Sequence, residues 1–142
     1  MNCGILYLYT RFIENKYFLY RKDGEGMTIL EIKEILGARV LSGEEWLTKE
    51  VHTACGSDMM SDVLAYVKEQ AVLLSGLVNP QVVRTAEMMD MKCIVFVRGK
   101  QPDEDMIELA VERDIVLLGT KLEMFTACGL LYKNGLKGGS GI

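Results

Sequence analysis

The chemistry open to this chain is bounded by its inventory: one histidine, four cysteines, and 20 Asp and Glu against 16 Lys and Arg in 142 residues. A single histidine, His52, excludes any centre built on two or more, the histidine-rich zinc sites among them. Cys3, Cys55, Cys93 and Cys128 are widely spaced, so no Cys-x-x-Cys pair is written for a zinc ribbon or a thioredoxin-type redox site. Three of them stand beside apolar neighbours (Ala54-Cys55, Cys93-Ile94, Ala127-Cys128) and read as small buried hydrophobes, which fits a reducing cytoplasm. On a strand His52 and Cys55 point to opposite faces, which removes the obvious nucleophile and base pair. Of the carboxylates, Asp58, Asp62 and Asp103 are the only acid or base candidates near turns. Asp58, and the run Asp103-Glu104-Asp105, stand where a helix opens and complement its dipole there. No segment matches Gly-x-Gly-x-x-Gly or the P-loop, and Lys137-Gly-Gly-Ser-Gly follows the last helical pattern and opens nothing. The chain is therefore assigned no catalytic residue, no metal ligand and no cofactor.

Binding is the better-supported chemistry. Four turns carry glycines, helix caps or hydrogen-bonding side chains between an apolar run and a helical pattern: Gly56-Ser57-Asp58, Ser75-Gly76 with Asn79, Arg98-Gly99, and Gly119-Thr120. In a parallel sheet such turns gather at the carboxyl ends of the strands, where free backbone N–H groups and helix dipoles suit an anionic group. Those residues are the candidate site for a small anionic metabolite or nucleotide. Glycines and caps also stand at these turns in any α/β protein, because helix N-termini need satisfying.

The elements that must position these turns can be read from the spacing. A Thr28-x-x-Glu31 capping box opens a helix over 28–36 that stops at Gly37. A strand over 38–42 and a polar connection holding Trp46, expected half-buried over a helix, lead to a strand over 51–55 and a helix over 59–68. Residues 71–75, 93–97 and 115–118 are continuous apolar strands. Between them fall a helix capped by Asn79-Pro80 and running to Met89, and a helix from Pro102-Asp103-Glu104 to Arg113. A second capping box, Thr120-x-x-Glu123, is expected to open a last helix ending at Lys133. Strands without polar alternation are covered on both faces, so the fold class is α/β: a Rossmann-like layered domain, with a mainly parallel sheet of four to five strands flanked by helices.

Residues 27–136 form that domain, and 137–142 have the composition of a flexible tail. Residues 1–26 read differently, holding four of the six tyrosines. One reading is a hairpin over 5–13 and 17–21, marginal unless docked on the body. The other is that translation begins at Met27, and mass spectrometry of protein made from its own gene decides between them. Hydrophobic residues at 49% and charged ones at 25% exclude wholesale disorder. The net charge of −4 without a basic run argues against nucleic acid, and no apolar stretch approaches the roughly 18 residues of a membrane span.

From Met27 onward the chain resembles the DRTGG domain family. The likeness rests on Met-Thr-x-x-Glu-Ile through Leu36-Gly37, on Leu41-Ser-Gly43, and on Ser57-Asp58-Met-Met-Ser61-Asp62. It continues in Cys93-Ile-Val-Phe ahead of Gly99 and Pro102, and in Val116-Leu-Leu-Gly-Thr120 before Phe125-Thr126. The name-giving residues are mostly absent: Gly76-Leu77-Val78 stands where the Asp-Arg pair would align, and Val97-Arg98-Gly99 where Thr-Gly-Gly would. The resemblance implies the fold of the N-terminal domain of HPr kinase/phosphorylase, whose kinase activity belongs to a separate P-loop domain, and a regulatory or oligomerising role. The expected function is a non-catalytic sensor module in the cytoplasm, a homodimer acting through a regulated enzyme such as a kinase or oxidoreductase. The alternative is a purely structural interaction protein, with a small enzyme a distant third. Adjacent methionines, Met59-Met60 and Met88-Met89, cannot both face one core, so these four are the candidate interface, with core filling as the rival reading.

Overall fold

The computed structural model describes residues 25–67 and 70–139, so the expectations for 1–24, Lys68 and the last three residues of the tail lie outside it. The first strand, β1 (Met27–Thr28), runs into helix α1 (Ile29–Leu36) through the expected capping box. The Thr28 hydroxyl accepts the Glu31 N–H at 3.1 Å while the Glu31 carboxylate accepts the Thr28 N–H at 2.9 Å. Gly37, left-handed at φ +58°, ends the helix with its N–H and that of Ala38 donating to Glu34 and Lys33 carbonyls. Strand β2 (Arg39–Ser42) follows, then a short 3₁₀ turn (Glu44–Trp46), where Trp46 is half-buried with the Lys49 ammonium 4.1 Å above its ring.

The strand expected over 51–55 is two strands. Glu50–Val51 (β3) pairs antiparallel with β1, and Thr53–Gly56 (β4) joins the main sheet. The break falls at His52, where consecutive N–H groups of His52 and Thr53 share the Gln70 carbonyl, at 2.8 and 3.4 Å, which an uninterrupted ladder does not do. Helix α2 (Met60–Tyr66) stops short of the expected Lys68 because Val67 is already extended, at φ −81° and ψ 142°. Strand β5 (Ala71–Ser75), helix α3 (Pro80–Met88), strand β6 (Cys93–Phe96), helix α4 (Glu104–Glu112), strand β7 (Val116–Gly119) and helix α5 (Met124–Lys133) complete the order. Asn79 and Asp103 cap α3 and α4, accepting from Gln81 and Met106 N–H at 2.8 and 2.9 Å.

The five-stranded sheet has the order β2-β7-β6-β5-β4, parallel throughout except for β2, which lies antiparallel on β7. Side chains alternate between two cores. Val72, Leu74, Val95, Val97, Val116 and Leu118 pack with Ile29 and Ile32 of α1 and Ala127 and Leu131 of α5. Leu73, Ile94, Phe96 and Leu117 face Val63, Val82, Val83, Met106 and Ala110 of α2, α3 and α4. Both faces are covered, as the unbroken apolar strands require, and the α/β class is borne out.

One capping motif is not. The Thr120 hydroxyl, in a side chain only 3% exposed, donates to the Leu36 carbonyl at 2.8 Å and accepts the Leu122 N–H at 3.2 Å. Engaged there, it is not available as a helix cap, and α5 begins later, with Glu123 at the N-cap and no side-chain hydrogen bond.

Candidate functional site

Strands β4 to β7 march across the sheet in chain order, and α2, α3 and α4 connect them over one face. After β7 the chain crosses to the opposite face, where α5 packs beside α1. Connections leaving β6 and β7 therefore diverge to opposite sides, which opens a crevice at the carboxyl ends of that strand pair. A cleft of about 640 Å³ lies there. It is lined by Gly99, Lys100 and Gln101 after β6, and by Gly119, Thr120, Lys121 and Leu122 at and after β7. Leu36, Gly37 and Arg39, around the start of β2, close it.

The cleft is held in shape by backbone. Arg98 N–H donates to Leu122 carbonyl at 2.8 Å and Gly99 N–H to Thr120 carbonyl at 2.9 Å, clamping the two loops together. Thr120 ties them to the end of α1, and Arg39 lies directly across from Gly119 in the antiparallel ladder. Three cations line the cleft and no carboxylate does. Among the described residues, Arg39, Lys100 and Lys121 enter no ion pair, whereas Arg98, Arg113 and Lys92 each face a carboxylate.

The ten residues expected at the strand edge divide into three groups. Gly99, Gly119 and Thr120 line the cleft. Asp58, Ser75, Gly76 and Arg98 form a neighbouring polar cluster. One Asp58 oxygen accepts from Gly76 N–H at 2.7 Å and from the Ser75 hydroxyl at 3.1 Å, and the other faces the Arg98 guanidinium at 3.6 Å. Asp58 therefore serves the loop after β5, and the expectation that it complements the dipole of the following helix is corrected: Met59 is the N-cap there. The Gly76 N–H first, then Ser75 and Arg98, hold the Asp58 carboxyl below the ordinary carboxylate range. A Cβ on Gly76 would overlap the Arg98 guanidinium, so that close approach needs glycine. The remaining three residues are committed elsewhere. The Ser57 hydroxyl accepts from Met59 N–H at 2.9 Å, Asn79 caps α3, and Gly56 presses against Cys128 and Met124 of α5.

Sequence reasoning missed Arg39, Lys100 and Lys121. Lys100 and Lys121 each directly follow a turn residue already singled out, so including side chains one position on would have found both. Arg39 carried no such signal, because only strand order places β2 beside β7.

Elsewhere, Cys93 is buried and Cys55 and Cys128 half-buried, and burial pushes all three thiols up. Of the methionine pairs, Met60 is in the core and Met59 is 59% exposed; Met88 is 72% exposed and Met89 half-buried. Among the described residues no group of three or more His, Cys, Asp or Glu is placed to hold a metal ion, and no helix is long and apolar enough to cross a membrane.

The sequence profile of the DRTGG domain matches residues 31–133. The chain belongs to the DRTGG domain family. Among solved structures this DRTGG domain is similar to the CBS and DRTGG domains of the regulatory region of Clostridium perfringens pyrophosphatase, determined in complex with the activator diadenosine tetraphosphate. The TM-score is 0.59 at 17% identity, over 78% of this chain and 50% of that one. The superposition shows a common fold, and the chain spans about half the length of that structure. No curated protein sequence matches it.

Proposed function

We propose that this DRTGG domain is a non-catalytic regulatory module of the cytoplasm that takes up a small anionic metabolite or nucleotide at the carboxyl edge of its sheet. The observation that carries the reading is the cleft where the β6 and β7 loops diverge, to which Arg39, Lys100 and Lys121 bring three cations and no counter-charge. Unneutralised cations on clamped loops raise the local concentration of anions and need no rearrangement to receive one. The structural neighbour supports the role, since it is a regulatory region in complex with a polyanionic activator. Exposed apolar side chains, among them Met59, Met88 and Phe125, supply surface for a second copy or a regulated enzyme to read the bound state.

A thermal-shift panel of nucleotides and acyl phosphates, diadenosine tetraphosphate included, tests this. A ligand at a hundred times its Kd adds about 2.7 kcal/mol, which at roughly 4 °C per kcal/mol for a domain of this size is a rise of about 11 °C. The rise is expected for at least one member and should vanish in the triple variant R39Q/K100Q/K121Q. A panel without effect would remove the sensing role.

The same exposed methionines favour a second reading, an interaction protein without ligand. Met59→Glu or Met88→Glu should then dissociate a dimer in sedimentation velocity; a chain already monomeric at tens of micromolar overturns that version.

A further inference from the structure

We infer that the cleft takes a compact, multiply charged phosphate without a nucleobase, such as a diphosphate or an acyl phosphate, in preference to a nucleotide. This deepens the anion-site reading and rests on it. Three features of the lining carry the inference. First, Arg39, Lys100 and Lys121 arrive from three different segments, so a single carboxylate engages only part of the set, while a group bearing two or more phosphate charges engages several at once. Second, none of the described residues lining the cleft carries an aromatic ring. The described aromatics lie elsewhere: Phe96 is buried in the opposite core, Trp46 packs on the α1 core, Tyr66 stands exposed at the end of α2, and Phe125 and Tyr132 stand exposed on α5. A base entering here finds no ring among the described residues to stack on, and stacking is what lets many proteins prefer nucleotides to bare phosphates. Third, the apolar part of the wall is short, Leu36 and Leu122, enough for a small aliphatic stem. The Thr120 hydroxyl between them is already committed in both directions, to the Leu36 carbonyl and the Leu122 N–H, which leaves the Gln101 amide as the neutral polar side chain of the lining.

Isothermal titration of the full chain with pyrophosphate, ADP and adenosine decides the matter, with the apo melting temperature of each variant as the folding control. The three cationic side chains are exposed, so the variants are expected to stay folded. Pyrophosphate should bind one to one and at least as tightly as ADP, and adenosine should not bind. Lys100→Gln and Lys121→Gln should each weaken pyrophosphate by about five- to tenfold, and raised salt should weaken it further. ADP binding tighter than pyrophosphate, with both weakened in the same variants, overturns the base-free class and leaves the anion site standing. No binding by either anion, or binding that Lys100→Gln and Lys121→Gln do not change, overturns both.

Discussion

Replacing Thr120 by valine keeps the shape of the side chain and removes one hydroxyl, and with it the donation to the Leu36 carbonyl and the acceptance from the Leu122 N–H. That hydroxyl is buried and donates at 2.8 Å to the carbonyl of Leu36, the last residue of α1, which has no helical partner of its own. Valine leaves that carbonyl facing a methyl group. A polar group stranded in this way costs about 1–3 kcal/mol, and about 2 is expected here because the site is only 3% exposed. With an unfolding entropy of roughly 2.1 cal/mol/K per residue, the melting temperature of this 142-residue chain should fall by about 7 °C. Thr120→Ser keeps the hydroxyl and loses a buried methyl, at a cost of about 1 kcal/mol. Urea unfolding of both variants at equal slope measures the difference. If serine proves costlier than valine, or valine costs less than about 0.5 kcal/mol, then packing rather than the hydrogen bond holds α1 against the β7 turn. The cleft would then lack the clamp described above, and pyrophosphate affinity should not change in Thr120→Val.

Three further outcomes can be checked. Gly43 sits at φ +84°, where a Cβ would come within 3.0 Å of the Val116 backbone, whereas Gly37 at φ +58° has open space around it, so Gly43→Ala should cost at least about 2 kcal/mol in urea unfolding and Gly37→Ala about 1. Asp58 is held below its ordinary range, so its ionised form stabilises the fold above the unfolded value of about 4. That contribution should be lost as pH falls through the lowered native value, so the melting temperatures of wild type and Asp58→Asn should differ at pH 6 and converge in acid. The Cys55, Cys93 and Cys128 thiols are pushed up by burial, so peptide mapping after iodoacetamide at pH 7 should find all three labelled slowly in the native protein and rapidly in urea.

Local signals were read well wherever a residue's partner is near in sequence. The Thr28–Glu31 box, the Asn79-Pro80 start, the helix start at Pro102-Asp103-Glu104 and the Gly37 stop are all in place, because each involves partners within four residues or so. The unbroken apolar runs at 71–75 and 93–97 likewise announced strands covered on both faces. Reading failed where a distant group competed for the same atom. Thr120 and Glu123 have the letters of a capping box, but a carbonyl 84 positions earlier takes the hydroxyl. Asp58 stands where a helix-dipole partner belongs, yet the Gly76 N–H and Ser75 hydroxyl draw it to the next loop. The break at His52 has the same origin, since the Gln70 carbonyl that bends the chain belongs to another strand connection.

Composition and periodicity by themselves determined the layered α/β class, the alternation of strand and helix from Ala71 onward, the burial of Cys93 and the poverty of reactive side chains, because each follows from residue type and near-neighbour spacing. Tertiary structure alone decided where a ligand has room. Strand order places β2 beside β7, sends α4 and α5 to opposite faces, and so gathers Arg39, Lys100 and Lys121 around one crevice. No local pattern encodes that meeting. It is set by which hydrophobic faces find each other when the chain collapses, and three charges far apart in sequence become neighbours only as a consequence of that packing.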